Sequence, residues 1–169
     1  MIEGALNLDQ YFQKMSKAQV KTAITRSIQL VQGAAKFGTP VITGALRESI
    51  LTDVEEDGDT VRGTCYTNMK YAPYVEFGTG PKGQESHAGI APDVNIAYSQ
   101  SPWWIHEGPG ENEVDRVTAE RYGWYYIDTP QGRFYRCSGQ PAQPFMYPAL
   151  KNNEEAIVKI ISEDFKKQL

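Results

Sequence analysis

Apolar residues recur at helical spacing early in the chain. Val20, Ile24, Ile28, Val31 and Ala35 define one stripe and predict a long helix from Leu8 to Lys36. Asn7 or Asp9 can cap its start, with Gln10 three residues after Asn7 as in a capping box. Phe37-Gly38-Thr39-Pro40 predicts the stop, because Gly38 suits the left-handed position past the last turn and Pro40 cannot continue the helix. Thr43 is then expected to cap a short helix through Ala45, Leu46 and Arg47. Gly44 beside it answers either to close packing or to a turn.

From Ser49 the pattern turns to strand. Residues 50–55 and 60–66 flank Asp57-Gly58-Asp59, a hairpin signal, since Asp-Gly accommodates positive φ. Tyr71 to Phe77 predicts a short helix or irregular turn, with Pro73 in its first turn and Gly78 as its stop. Residues 80–89 are expected to form an exposed loop. Pro102-Trp103-Trp104-Ile105-His106 is a compact apolar patch, followed by a second loop at 108–113. Two aromatic-rich runs, Trp124 to Asp128 and Arg133 to Cys137, flank Thr129-Pro130-Gln131-Gly132 and predict a second hairpin.

The last predicted element is a helix from Pro148 to Lys167, with Pro148 at its first position. Its expected buried stripe is Leu150, Ile157, Ile160, Ile161, Phe165 and Leu169. Glu155–Lys159 and Glu163–Lys167 are spaced for (i, i+4) ion pairs. Two helices bracketing two hairpins give an α+β domain, with the helices on one face of a small antiparallel sheet. The whole of 1–169 is expected to form a single domain, with 80–142 an insertion inside it.

Composition narrows the function. A chain of 169 residues can bury one core, and its ten Tyr and three Trp are generous for a hydrophobic content of 40%. A formal charge of −4 argues against sequence-independent binding to duplex DNA, which needs a basic footprint. The start lacks the basic and apolar regions of a secretory signal, and no run approaches the ~18 apolar residues of a membrane span. The expectation is a soluble chain made in the cytoplasm, with Cys65 and Cys137 reduced.

Candidate chemistry is thin. Cys65, His87, His106 and Cys137 lack the spacing of a zinc site, and no Cys–His pair is placed as nucleophile and base. His106, Glu107, Glu111, Glu113 and Asp115 form an acidic stretch that could supply carboxylates for acid–base work or a weak cation site, but suits a solvated loop better. Gly78 to Gly83 lacks the Gly-Lys-Ser/Thr ending of a phosphate loop. No catalytic group, cofactor or metal is expected. Trp103, Trp104, Trp124, Tyr125 and Phe134 serve either as core of the insertion or as a partner surface.

Three motifs remain. They are Thr43-Gly44-Ala45-Leu46-Arg47-Glu48-Ser49-Ile50, Tyr71-Ala72-Pro73-Tyr74-Val75-Glu76-Phe77-Gly78-Thr79, and Gln143-Pro144-Phe145-Met146-Tyr147-Pro148-Ala149-Leu150. In this order, between a long and a shorter helix, they resemble the HK97 gp10-like family of tailed-phage proteins. The resemblance covers 8–79 and 143–168. It implies a non-catalytic virion subunit of the neck or head-proximal tail end, joining head to tail as a ring of copies. Its implied partners are itself and neighbouring neck, connector, tail-terminator or tail-tube proteins, with genome DNA only passing through a channel. On this resemblance Thr43, Gly44, Leu46, Arg47, Ser49, Tyr71, Tyr74, Glu76, Phe77, Gly78, Thr79, Pro144, Phe145, Pro148 and Leu150 shape the subunit and its contacts. Arg47 and Glu76 are either plain surface charge or an ion pair fixing geometry. A tail terminator or another phage-encoded adaptor is the alternative, and a small hydrolase using the Trp/acidic insertion is a remote one.

Overall fold

A computed structural model describes residues 16–41, 43–110, 113–121 and 123–166. It is α+β, and its chain forms two compact units, 1–72 with 144–169, and 73–143.

The first unit is built on helix α1 (Lys17–Gly38). The proposed caps Asn7 and Asp9 lie outside the described residues. Ser16 stands at the N-cap, and its N–H donates to the Gln19 side chain at 2.8 Å. The fully buried line along α1 is Ala23, Ser27, Val31 and Ala35, four residues apart, with Ile24 and Ile28 half-buried beside it. Small side chains there bring neighbouring elements close to the helix axis. Ser27 satisfies its hydroxyl by donating to the Ala23 carbonyl at 2.9 Å.

The stop differs from expectation in one respect. Gly38 is the last helical residue, and Thr39 is the cap, with extended backbone at φ −67°, ψ 124°. Pro40 accounts for this, since its ring disfavours helical backbone in the preceding residue. A Cβ on Gly38 would sit at ordinary contact distance, 3.7 Å from the Phe145 backbone, so crowding does not demand glycine there.

Helix α2 (Ala45–Glu48) leads into β1 (Ile50–Asp57) and β2 (Thr60–Thr67), an antiparallel pair in register from Ile50↔Thr67 to Asp57↔Thr60. Gly58 takes φ +55° in the two-residue turn. The hairpin packs against α1 through the face carrying Ile50, Thr52 and Val54. Gly63 on β2 is a requirement that periodicity did not reveal. A Cβ there would stand 2.8 Å from Ile24 Cγ2, so its absence lets the helix lie on the strand.

The expected C-terminal helix is two helices, α6 (Met146–Lys151) and α7 (Glu154–Lys166), which the chain reaches after the second unit. The break falls at Asn152-Asn153, where the Asn153 side chain donates to the Ala149 carbonyl at 2.8 Å and competes with the helical ladder. Pro148 is the third helical residue rather than the first. Leu150, on α6 ahead of the break, is 51% exposed and not part of a buried stripe. Ile161 is buried against Ala23, with Ile157 and Ile24 around them. Lys159 lies 3.9 Å from Glu163, the next acid along the helix, rather than pairing back to Glu155. Lys167 and Leu169 lie outside the described residues.

The buried charge of this unit is Asp164 on α7, 7% exposed, paired with Arg26 of α1. This pair ties the first helix to the last. The second Asp164 carboxylate oxygen is buried without a hydrogen-bond partner.

The second unit holds α3 (Ala72–Phe77) from Pro73 onward, α4 (Gly80–Ser86), β3 (Trp103–Glu107), β4 (Glu113–Val114), α5 (Arg116–Arg121), β5 (Tyr125–Thr129) and β6 (Gly132–Cys137). Its sheet has the order β4-β3-β6-β5 and is separate from the β1–β2 pair. The β3–β4 pairing is parallel, so the molecule departs from a single antiparallel sheet. Residues 80–86 are helical where a loop was expected. Pro81 suits a first turn, and Gly80 and Gly83 are buried where side chains would not fit.

Candidate assembly surfaces

The three motifs occupy both units. In the first unit, Gly44 stands at the N-cap of α2 with φ +88°, and Thr43 beside it accepts from the Ala45 N–H at 3.3 Å. The cap is therefore Gly44, where Thr43 was expected. A Cβ on Gly44 would meet nothing nearer than 3.9 Å, so the turn and not crowding demands glycine here. Leu46 is buried and Arg47 is exposed. Ser49 donates to the Leu46 carbonyl at 2.8 Å and shares a 2.6 Å hydroxyl contact with Thr67, which joins α2 to the hairpin. Phe145 is 2% exposed, Pro144 and Pro148 are half-buried, and Tyr71 is exposed.

In the second unit, Tyr74 to Thr79 is stitched to residues 139–143. Thr79 and Gln140 exchange backbone hydrogen bonds at 2.9 and 3.2 Å, and the Gln143 N–H donates to the Val75 carbonyl at 2.8 Å. The Gln140 amide donates to the Tyr74 carbonyl at 2.8 Å. At this crossing Gly78 takes φ +72°, and a Cβ on it would fall 2.6 Å from the Ala142 nitrogen and the Gln140 oxygen. Glu76 is 5% exposed. The Tyr98 hydroxyl donates to the Phe77 carbonyl at 2.9 Å, with His87 between the Phe77 and Tyr98 rings.

Beside this crossing lies a largely apolar groove of about 720 Å³, lined by Pro73, Tyr74, Phe77, Val94, Ile96 and Trp103 among others. Tyr74 is 59% exposed on it. The stretch 94–99, outside any strand, supplies five of its twelve lining residues, a contribution that no periodicity signalled.

The sheet separates the five aromatic candidates. Successive strand residues point to opposite faces. One face carries Ile105 and Tyr135 and is covered by Val114, Ala119 of α5 and Trp124. The Tyr135 hydroxyl donates to Glu107 at 2.5 Å, and that bond together with burial raises its pKa. Arg133 lies 3.9 Å over the Tyr126 ring and pairs with Asp128 at 2.7 Å, which lowers the Asp128 pKa. The opposite face carries Trp104, Tyr125 and Phe134, with Ile127, His106 and Arg136 added by the register. Trp124 thus packs on the covered face and Trp103 is half-buried on the groove wall, while Trp104 and Tyr125 are exposed.

Two described members of the acidic stretch are held by local hydrogen bonds. Asp115 caps α5, accepting from the Thr118 N–H at 2.9 Å and hydroxyl at 2.6 Å, which lowers its pKa. Glu107 is engaged by Tyr135, and Glu111 lies outside the described residues. Burial raises the thiol pKa of both Cys65 and Cys137, which leaves them poor nucleophiles. Among the described residues no group of His, Cys, Asp and Glu is placed to hold a metal, and no helix is long and apolar enough to cross a membrane.

Comparison with known proteins adds one match. Residues 6–78 match the model of the HK97-gp10-like family, described under the tail component of bacteriophage HK97. The match takes in the first motif and the second up to Gly78, and the third lies beyond it. The matched family is one of phage tail components. No curated protein and no solved structure matches the chain.

Proposed function

We propose, with the phage tail-component match of residues 6–78 as premise, that this chain is a non-catalytic structural protein of the virion of a tailed phage or prophage. It assembles in the host cytoplasm into a ring at the neck or head-proximal end of the tail. There it completes the tail and joins it to the head. Its partners are further copies of itself and the adjoining connector, terminator or tail-tube proteins, with genome DNA passing through the channel. A net charge of −4 suits a wall to which DNA must not adhere.

The observation that carries this reading is the matched segment itself, which runs from the long helix through the hairpin to the glycine crossing at Gly78. Strand edges support it, since among the described residues β5 has a strand partner only on the β6 side and a ring can pair such edges between neighbours. The test is the mass of the purified protein in solution by light scattering, alone and with tail tubes or connector complexes. A ring, formed alone or on the partner, is the expected result. A monomer that ignores both partners overturns the reading.

A further inference from the structure

Among the described residues, two sheet faces of this chain are bare and unlike in charge. On the second unit, Trp104, Arg136 and Tyr125 form a row across β3, β6 and β5. The Trp104 and Tyr125 rings meet edge to face at 6.3 Å, and they are 46% and 66% exposed. Arg136 between them is exposed, and among the described residues it enters no ion pair. Aromatic anchors around an arginine are the residue types that dominate interface energetics.

On the first unit, α1 covers one face of the β1–β2 hairpin, and no other described element covers the opposite one. That open face carries Asp53, Glu55 and Asp57, alternate residues of β1 and all exposed, and ends in the exposed Leu51. Arg62 across from Glu55 is the lone cation among the residues paired with these three acids, and no ion pair among the described residues engages the three. Glu56, on the covered face, is by contrast held by Lys21 at 2.9 Å.

We infer that in the ring proposed above the aromatic face of one copy receives the carboxylate-lined face of the β1–β2 hairpin of the next. Arg136 meets Asp53 and Glu55, and Leu51 seats on the Trp104–Tyr125 pair. Two faces that pack in this way lie ~10 Å apart, a gap their side chains fill. The charge pattern selects this arrangement. A two-fold dimer through either face alone would set carboxylates against carboxylates or arginine against arginine, whereas two different faces make a head-to-tail contact, the kind that closes into rings.

This inference rests on the ring reading, and the test separates the two. Self-association is measured by light scattering over a concentration series, in whichever condition the wild-type chain assembles: alone, with tail tubes or with connectors. Arg136→Glu is expected to weaken association at least about tenfold, since it sets like charges in contact. Adding Asp53→Lys and Glu55→Lys to the same chain is expected to restore it. Added salt should weaken the wild-type assembly, the opposite of what screening general repulsion between chains of like net charge would do. All three positions are exposed, and circular dichroism verifies that the variants fold. An Arg136→Glu chain that assembles like wild type overturns this contact and leaves the ring. A loss that the acid-to-lysine changes do not repair overturns the pairing. A wild-type chain that stays monomeric in every condition overturns both.

Discussion

The crossing at Gly78 can be tested by adding a single carbon. Gly78→Ala imposes two costs that can be separated. The first is conformational: at φ +72° an L-residue is strained by about 1–2 kcal/mol, partly offset by about 0.4–1 kcal/mol because alanine has less freedom than glycine in the unfolded chain. The second is steric. The new Cβ would sit 2.6 Å from the Ala142 nitrogen and the Gln140 oxygen and 2.7 Å from the Gly83 Cα, all of them backbone, so no side chain can swing aside. Overpacking of this kind costs about 1–3 kcal/mol, and parting the two segments would also weaken the Thr79–Gln140 hydrogen bonds, each worth about 1 kcal/mol. Gly89→Ala isolates the first cost, since Gly89 has φ +83° and nothing within 4 Å of its would-be Cβ. Urea unfolding followed by tryptophan fluorescence is a suitable assay, because all three tryptophans lie in the second unit. Gly78→Ala is expected to lose about 2–4 kcal/mol and Gly89→Ala no more than about 1.5 kcal/mol. Equal losses would refute the claim that crowding at the crossing, rather than backbone conformation alone, requires glycine.

Three further outcomes are expected. Arg26→Ala should destabilise the chain by about 1–3 kcal/mol in thermal melts, below the usual cost of orphaning a buried charge because the arginine side chain is 45% exposed. Adding Asp164→Asn should recover part of that loss, and no recovery would count against the pair. Gly33→Ala should stabilise α1 by about 0.5–1 kcal/mol, because the site lies inside a helix with nothing within 4 Å of a new Cβ, and any loss of melting temperature contradicts this. The α5 cap makes stability depend on acid. Thr118 holds the Asp115 pKa below its unfolded value, so the unfolded state binds more protons in that window and stability rises with pH there. The contribution is present above the usual carboxylate pKa of about 4 and is lost as pH falls through the lowered folded value. Asp115→Asn should therefore flatten the acid limb of stability against pH, and an unchanged limb would refute the assignment.

Much of the architecture could be read locally. The stripe through Ile24, Ile28 and Val31, the Asp57-Gly58 turn and the Pro40 stop act within a few residues of themselves, so their consequences were legible without a partner. The bent course of the C-terminal helices was harder to see. Asn152 and Asn153 interrupt no apolar period, yet the Asn153 amide takes the Ala149 carbonyl from the ladder where the helix breaks. The candidate surfaces were legible as residue types, not as surfaces. Alternation alone puts Trp103 and Trp104 on opposite sides of β3. Which side is covered depends on Val114, Ala119 and Trp124 arriving from elsewhere in the chain.

The sequence by itself determined the α+β class, the long first helix, the first hairpin and the segment 6–78 that matches a phage tail-component family. The tertiary structure decided the rest: the two compact units, the separate sheets with one parallel pair, the glycines at 63 and 78 that make room for a neighbour, and the solvent-facing row of Trp104, Arg136 and Tyr125. The physical reason is range. Propensity, capping and turn chemistry act over a few residues, whereas close approach and face burial are set by residues distant along the chain, whose positions no local pattern encodes.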